Sequence, residues 1–434
     1  MAKIGIISLG CDKNRVDSEN VIYTLTETGH EWTQEISEAD VLIVNTCAFI
    51  DSAKKESIDT ILELATRKKD GAKLLVLGCL AERYAEELVE ALPEVDTFVG
   101  INAYHEIERI VSTNAEKVVK YKKYVPYERG RVITTPGHYA YLKIADGCDN
   151  FCSYCAIPLI RGRYRSYPME ELVEEARDLE MQGVKELILV AQDTTRYGID
   201  IYGRYALKEL LRELIKIDFE KIRIMYAYPE LIDDELIRMI STEDKLAKYI
   251  DVPMQHASSE VLKLMHRRTT GEEIRALVAR IRDIDPDIAI RSSFIVGFPG
   301  ETEEQFEELE EFIGLGNVDY AGFFTYSKEE GTLASKMKGQ ILQKVKKERE
   351  KRLSKLQCAV VINNHQKYLN KVVKVIYEGI DYNKNKFYGR IEQNAPDIDT
   401  KVFFTSSFPL DIGEYYDVEI TKADFNLYGK TIEG

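Results

Sequence analysis

The chain has 434 residues, 44% hydrophobic and 31% charged, and carries a formal net charge of -15 at pH 7. That length exceeds one ordinary core and asks for two to four domains. The absence of any apolar run near the roughly 20 residues needed to span a bilayer argues against a membrane partner, and a cytoplasmic chain is expected. The acidic total opposes sequence-independent attraction to phosphate backbones, although a local basic patch could still override it.

Read in chain order, the first hundred residues repeat one pattern three times: a β-branched apolar run, a cysteine, then an amphipathic helix. The runs are Lys3 to Leu9 before Cys11, Val41 to Val44 before Cys47, and Leu74 to Leu77 before Cys79. Helices are expected over Asp17 to Thr28, Asp51 to Lys69 and Ala81 to Leu92, closed by Gly29, Gly71 and Pro93. This alternation predicts an N-terminal α/β domain over 1–114 with a parallel sheet. Residues 115–137 carry few signals and are read as a linker.

Over 138–339 six strand candidates alternate with helices: Tyr139 to Ala145, Glu186 to Ala191, Ile222 to Tyr228, Tyr249 to Val252, Ile288 to Val296 and Tyr320 to Thr325. A Thr302-x-x-Gln305 capping box opens the last long helix. Six βα repeats predict a partial (β/α)6 barrel, in which chemistry sits at the carboxyl ends of the strands. Residues 340–366 read as a charged, solvated connecting helix carrying the isolated Cys358, taken as structural. Residues 367–434 hold four short strand candidates, Val372 to Ile376, Lys386 to Gly389, Val402 to Phe404 and Tyr416 to Ile420, which suit a small all-β barrel.

Seven cysteines is an odd number, and their clustering suits reduced thiols with metal-binding work better than a disulfide framework. Cys148, Cys152 and Cys155 follow C-x3-C-x2-C directly after a predicted strand. Three thiolates at that spacing can hold three corners of a four-iron cluster and leave the fourth iron open. A structural zinc completed by a distant His, or inert buried thiols, are the competing readings. Cys11, Cys47 and Cys79 lie 36 and 32 residues apart, each just past the carboxyl end of its strand. Equal placement in successive parallel units brings them to one sheet edge, where open α/β sheets bind ligands, and makes a second cluster site. Singly, each would be an ordinary core residue.

The C-x3-C-x2-C motif with aromatic Tyr154 before its last cysteine resembles the radical S-adenosylmethionine superfamily. The segments "SLGCDKNRVDSE" (8–19), "VNTCAFI" (44–50), "LGCLAERY" (77–84), "IADGCDNFCSYCAIPLIRGRYRS" (144–166), "AQDTTRYG" (191–198), "DVPMQHAS" (251–258), "FIVGFPGETEEQF" (294–306) and "YSKEEGT" (326–332) resemble the methylthiotransferase family along essentially the whole chain, and its RimO branch in wording. The resemblance implies an N-terminal cluster domain, a radical core and a C-terminal TRAM domain, holding two 4Fe-4S clusters. The cluster on Cys148, Cys152 and Cys155 would cleave S-adenosylmethionine to a hydrogen-abstracting radical. That on Cys11, Cys47 and Cys79 would present sulfide or a methylthio group, and a second S-adenosylmethionine would give the methyl. The implied substrate is the β-carbon of an aspartate in small-subunit ribosomal protein twelve, with an electron donor such as flavodoxin or ferredoxin as a further partner.

Further contacts to S-adenosylmethionine are expected from Tyr154, from Gln192 and Asp193 after a barrel strand, and from Gln255 beside His256 at another strand end. Loop capping is the competing role for Gln192 and Asp193. Arg291, in a mostly apolar strand, requires an anion, either the methionine carboxylate or a structural partner. Gly297, with Gly300, permits close backbone approach to a ligand. Arg161, Arg163 and Arg165 form a basic run that could meet an acidic substrate loop, although a solvated loop is the default. The terminal 69 residues carry nine Lys and Arg against eleven Asp and Glu, which suits a basic protein partner better than RNA, so tRNA is the less favoured substrate. A zinc-stabilised, non-catalytic factor binding ribosomal protein or RNA is the rival from another class. No heptad seam or broad apolar stripe asks for self-association, and a monomer is expected.

Overall fold

The computed structural model of the protein describes residues 1–125 and 130–432. The chain divides into two compact units that do not follow its order. The first contains Met1–Thr134, Asp146–Arg165 and Ser327–Ser335; the second contains Thr135–Ala145, Ser166–Tyr326 and Lys336–Gly434.

The first unit is built on a six-stranded, all-parallel sheet. Its order is Glu31–Thr33, Lys3–Ser8, Val41–Thr46, Lys73–Gly78, Thr97–Val99 and Val118–Val119. Val118–Val119 lies within the stretch read as a linker. The central strands, VLIVNT and KLLVLG, are buried on both faces by flanking helices, which is why they read as continuous apolar runs. Strand order reverses between Lys3–Ser8 and Val41–Thr46, making that gap the topological switch point, where open sheets of this kind bind ligands. The loop carrying the second set of cysteines packs on the same core: Ala156 and Ile160 join the hydrophobic cluster of Val44, Leu77, Cys79 and Leu80.

In the second unit six parallel strands run in sequential order, Tyr139–Lys143, Glu186–Val190, Lys221–Ile224, Leu246–Asp251, Ala289–Val296 and Tyr320–Thr325. First and last strands do not pair, so the barrel is open, as six βα repeats predict. The capping box at Thr302 and Gln305 is present. The C-terminal strands close into a five-stranded barrel, one strand more than expected: Leu427–Thr431, interrupted by Gly429, is the addition. A buried charged seam joins the two barrels, in which Glu186 meets Arg223 and Arg390, and Arg390 meets Glu378. Ala395, from the loop after Lys386–Arg390, packs among the inward residues Tyr139, Ile188, Tyr249 and Tyr320.

The helix Gln343–His365 corrects the expectation of a solvated connector. It buries Lys346, Arg349, Leu353, Gln357, Val360, Val361 and His365, a stripe at helical spacing. Arg349 pairs with Glu301 at 2.6 Å and Glu303 at 2.9 Å, so charged side chains occupy a packed face. Among the described residues no helix is long and apolar enough to cross a membrane.

Candidate active site at two cysteine trios

Cys11 is the N-cap of the helix Asp12–Glu27, and Cys79 is the first residue of Cys79–Ala91. Cys47 sits in the loop after Val41–Thr46, its N–H donating to Ser57 Oγ at 3.1 Å while that hydroxyl donates back to the Cys47 carbonyl at 2.9 Å. The three therefore share the carboxyl edge of the sheet around its switch point. Gly10 makes this approach possible. Its φ is +86°, and a Cβ there would stand 2.7 Å from Cys47 Cβ and 3.1 Å from its Sγ.

Burial pushes the Cys79 thiol up to about 12; Arg161 opposes the shift, and the fields of Cys47 and Cys11 add to it. Burial likewise raises the Cys47 thiol, with Cys11 contributing. Mutual repulsion of this kind marks thiols that share one site. Cys79 Sγ lies 3.8 Å from Asn14 Oδ1, and Asn14 is fixed by donating to the carbonyls of Leu9 at 3.1 Å and Thr46 at 2.8 Å.

In the second trio Cys148 and Cys152 are buried and Cys155 is half-buried. The Cys148 N–H donates to the Gly162 carbonyl, that of Cys155 to the Cys152 carbonyl, and that of Ile157 to Cys155 Sγ at 3.4 Å. Phe151, inside the motif, is exposed and has a φ of +48°, a conformation that bulky residues rarely adopt. Tyr154 is half-buried. None of the seven cysteines is in a disulfide. Among the described residues no three His, Cys, Asp or Glu side chains converge on the centre of a single metal ion.

The basic run is where expectation and structure part most. Arg161 is not solvated: it is buried, with Nη1 at 3.1 and 3.0 Å from the two Asp146 oxygens and Nη2 at 2.5 Å from Asn14 Oδ1 and 2.9 Å from Asp17 Oδ2. Only Arg163 is solvated, pairing with Asp149 at 2.9 Å. Arg165 lies 3.8 Å over the Tyr124 ring. Sequence reasoning assigned no role to Asn14, Asp17 or Asp146. The signal was the density of polar residues in "GCDKNRVDSE", too many for an ordinary amphipathic helix. The segment Ser327–Ser335 completes this unit's site: Glu329 pairs with Lys54 at 3.1 Å and Arg83 at 2.8 Å, Arg83 also donates to the Ala48 carbonyl, and the Ala334 N–H donates to the Ser153 carbonyl.

The remaining candidates lie in the barrel unit. Gln192 is half-buried after its strand. Asp193 is fully buried and accepts from Thr195 Oγ1 at 2.7 Å and the Arg196 N–H at 3.2 Å. Gln255 has a φ of +73° and bridges to Phe294, a strained backbone at a strand end. His256 is wholly buried; burial and then Arg349 bring its pKa down to about 3, so the ring is neutral. Arg291 finds its anions within the protein, Asp251 at 2.8 Å and Asp399 at 3.6 Å. The close approach that Gly297 permits is made by the Lys346 side-chain stem.

Comparison with known proteins matches this architecture part by part. A family model described as uncharacterized protein family UPF0004 matches residues 3–100, the radical SAM superfamily matches 142–313, and the TRAM domain matches 371–432. A protein of Acetivibrio thermocellus named ribosomal protein uS12 methylthiotransferase RimO is 47% identical over 445 residues, covering 99% of this chain and 98% of its own. Proteins of the same name from Lachnoclostridium phytofermentans and Clostridium botulinum are each 48% identical, covering 98% of this chain and 99% and 97% of theirs. Among solved structures, the radical S-adenosylmethionine methyltransferase TsrM from Kitasatospora setae, with cobalamin and a [4Fe-4S] cluster bound, shares the fold with a TM-score of 0.55 at 16% identity over 74% of each chain. The cobalamin-dependent radical enzyme OxsB aligns with a TM-score of 0.50 at 11% identity, covering 82% of this chain and 56% of its own. The cysteine-bearing sheet edge, the open barrel and the near full-length relatives agree, and the chain belongs to the RimO family of radical S-adenosylmethionine methylthiotransferases.

Proposed function

We propose that this chain adds a methylthio group to the β-carbon of an aspartate in ribosomal protein uS12. The observation that carries the reading is the gathering of Cys11, Cys47 and Cys79 at the switch point, in the same compact unit as the loop of Cys148, Cys152 and Cys155. Soft thiolate donors, three to a group and none in a disulfide, are a ligand set suited to iron–sulfur clusters. Cys148, Cys152 and Cys155 would hold one 4Fe-4S cluster and Cys11, Cys47 and Cys79 the other. When bound, these groups supply the electron that activates S-adenosylmethionine and the sulfur that is transferred.

The chain's own residues hold and shield. Burial of Cys47, Cys79, Cys148 and Cys152 keeps water away from the sulfurs, while Cys11 is exposed and leaves its trio reachable. Gly10 and the Ser57 bonds fix the spacing of the first trio. We assign Tyr154, Gln192 and Gln255 as contacts for S-adenosylmethionine. Asp193, Arg291 and Gly297 are assigned to the framework that supports it.

A basic ribosomal protein suits the acidic chain and its acidic terminal barrel. We assign a low-potential electron donor of the flavodoxin or ferredoxin kind, a monomeric state and a cytoplasmic setting to the same reading. Anaerobic reconstitution followed by mass spectrometry of uS12 and of tRNA nucleosides is the test. Methylthiolated aspartate with unmodified tRNA is expected. Methylthio-adenosine without modified aspartate overturns the substrate, and stoichiometric zinc without iron overturns the chemistry.

A further inference from the structure

Arg161 ties the segment that carries the second trio to the helix capped by Cys11. It follows Cys155 by six residues, yet one end of its guanidinium is bonded to Asn14 and Asp17, in the first turns of the helix capped by Cys11. The other end holds Asp146, two residues before Cys148. The side chain is 1% exposed. Asn14 Oδ1 accepts from Arg161 at 2.5 Å and lies 3.8 Å from Cys79 Sγ, so the buried cation is one side chain removed from the first trio.

We propose that Arg161 is a positioning residue for methylthio transfer: its two-ended guanidinium locks the loop of Cys148, Cys152 and Cys155 onto the helix of Cys11, and supplies the fixed positive charge beside the Cys11, Cys47 and Cys79 site. The shape of the group carries the first half. A planar fork bonds opposite partners at once, which a lysine ammonium, a single point charge, does not. Charge carries the second half. In a dry interior a neighbouring cation favours whichever state of the site is more negative, so it eases the addition of an electron there.

The proposal rests on the assignment of an iron–sulfur cluster to the first trio, and the test separates the two. Arg161→Met and Arg161→Lys are compared with the parent chain after anaerobic reconstitution, reading the midpoint potential of the first trio's cluster and the ratio of 5'-deoxyadenosine formed to uS12 modified. The Met variant is expected to move that midpoint to more negative values. The Lys variant is expected to hold the midpoint near the parent value, while the ratio rises several-fold because S-adenosylmethionine cleavage and sulfur transfer fall out of register. Since the Met variant removes the cation that Asp17 and Asp146 share, Arg161→Met with Asp17→Asn is measured beside it, with a shift of the same sign but smaller expected, because a nearby negative charge is removed as well. An unchanged midpoint in these folded, fully loaded variants, or an unchanged ratio in the Lys variant, overturns the role of Arg161. A parent chain whose first trio takes up no cluster overturns the underlying assignment instead.

Discussion

Arg390 of the C-terminal barrel places Nη2 2.7 Å from Glu186 at the start of a central strand, with both side chains at most 2% exposed. Arg223 reaches the other Glu186 oxygen at 2.7 Å. Burial alone would raise this carboxyl, but the two guanidinium groups outweigh it and bring its pKa down to about 2. Glu186→Gln leaves two buried cations short of their partner and should cost roughly 3–5 kcal/mol, read as a lower denaturant midpoint. A carboxylate depressed by folding contributes stability above its unfolded value near 4.5 and loses it as pH falls toward 2. The parent chain should therefore show an acid-side decline in that window which the Gln variant shows less steeply.

Gly10→Ala is expected to damage the first trio without replacing a ligand. The left-handed backbone alone costs an alanine roughly 1–2 kcal/mol, and its Cβ would stand 2.7 Å from Cys47 Cβ. The measurable outcome is a lower melting temperature together with iron lost from the first trio, while the second trio stays loaded. Full iron content in Gly10→Ala would show that the spacing tolerates the shift.

Reactivity should differ sharply within the first trio of the metal-free chain. Cys11 is exposed, whereas Cys79 is buried with a thiol pushed up to about 12. Relative to an ordinary thiol near 9, this leaves the reactive thiolate about a thousandfold scarcer at neutral pH. Timed alkylation with peptide mapping should label Cys11 early and Cys79 last. Equal labelling would contradict the burial of Cys79.

Cys47→Ala should abolish sulfur transfer and spare the radical step. The variant should keep iron at Cys148, Cys152 and Cys155 and still form 5'-deoxyadenosine, with no methylthiolated product. Cys152→Ala should lose both products. Iron assay and product analysis on the two variants distinguish these patterns.

Much of this architecture could be read from period and punctuation. The six barrel strands, the Thr302 capping box and the three strand-end cysteines follow from alternation and spacing, which burial on both sheet faces reinforces. What escaped reading were places where polar residues are buried. The helix Asp12–Glu27 begins earlier than expected because Asn14, Asp17, Ser18 and Glu19 face inward, which breaks the apolar stripe that marks a helix. The packed face of Gln343–His365 was hidden for the same reason, with Lys346 and Arg349 standing where leucines would be expected. Arg161 read as part of a solvated loop and Arg291 as a cation needing either a ligand or a structural anion, and Asp17, Asp146, Asp251 and Asp399 supply the charges from distant parts of the chain. Pairing of that kind is set by tertiary contact and leaves no local pattern.

The loop Asp146–Arg165 folds with the N-terminal sheet although it leaves from a strand of the open barrel. A fragment begun at residue 138 would retain three cysteines of the radical motif and forfeit Asn14, Asp17 and the apolar bed under Ala156 and Ile160. The two cysteine trios thus share one compact unit and are not interchangeable cassettes joined by a tether. Exchanging either one for a foreign counterpart would require rewriting the buried contacts inside the loop itself.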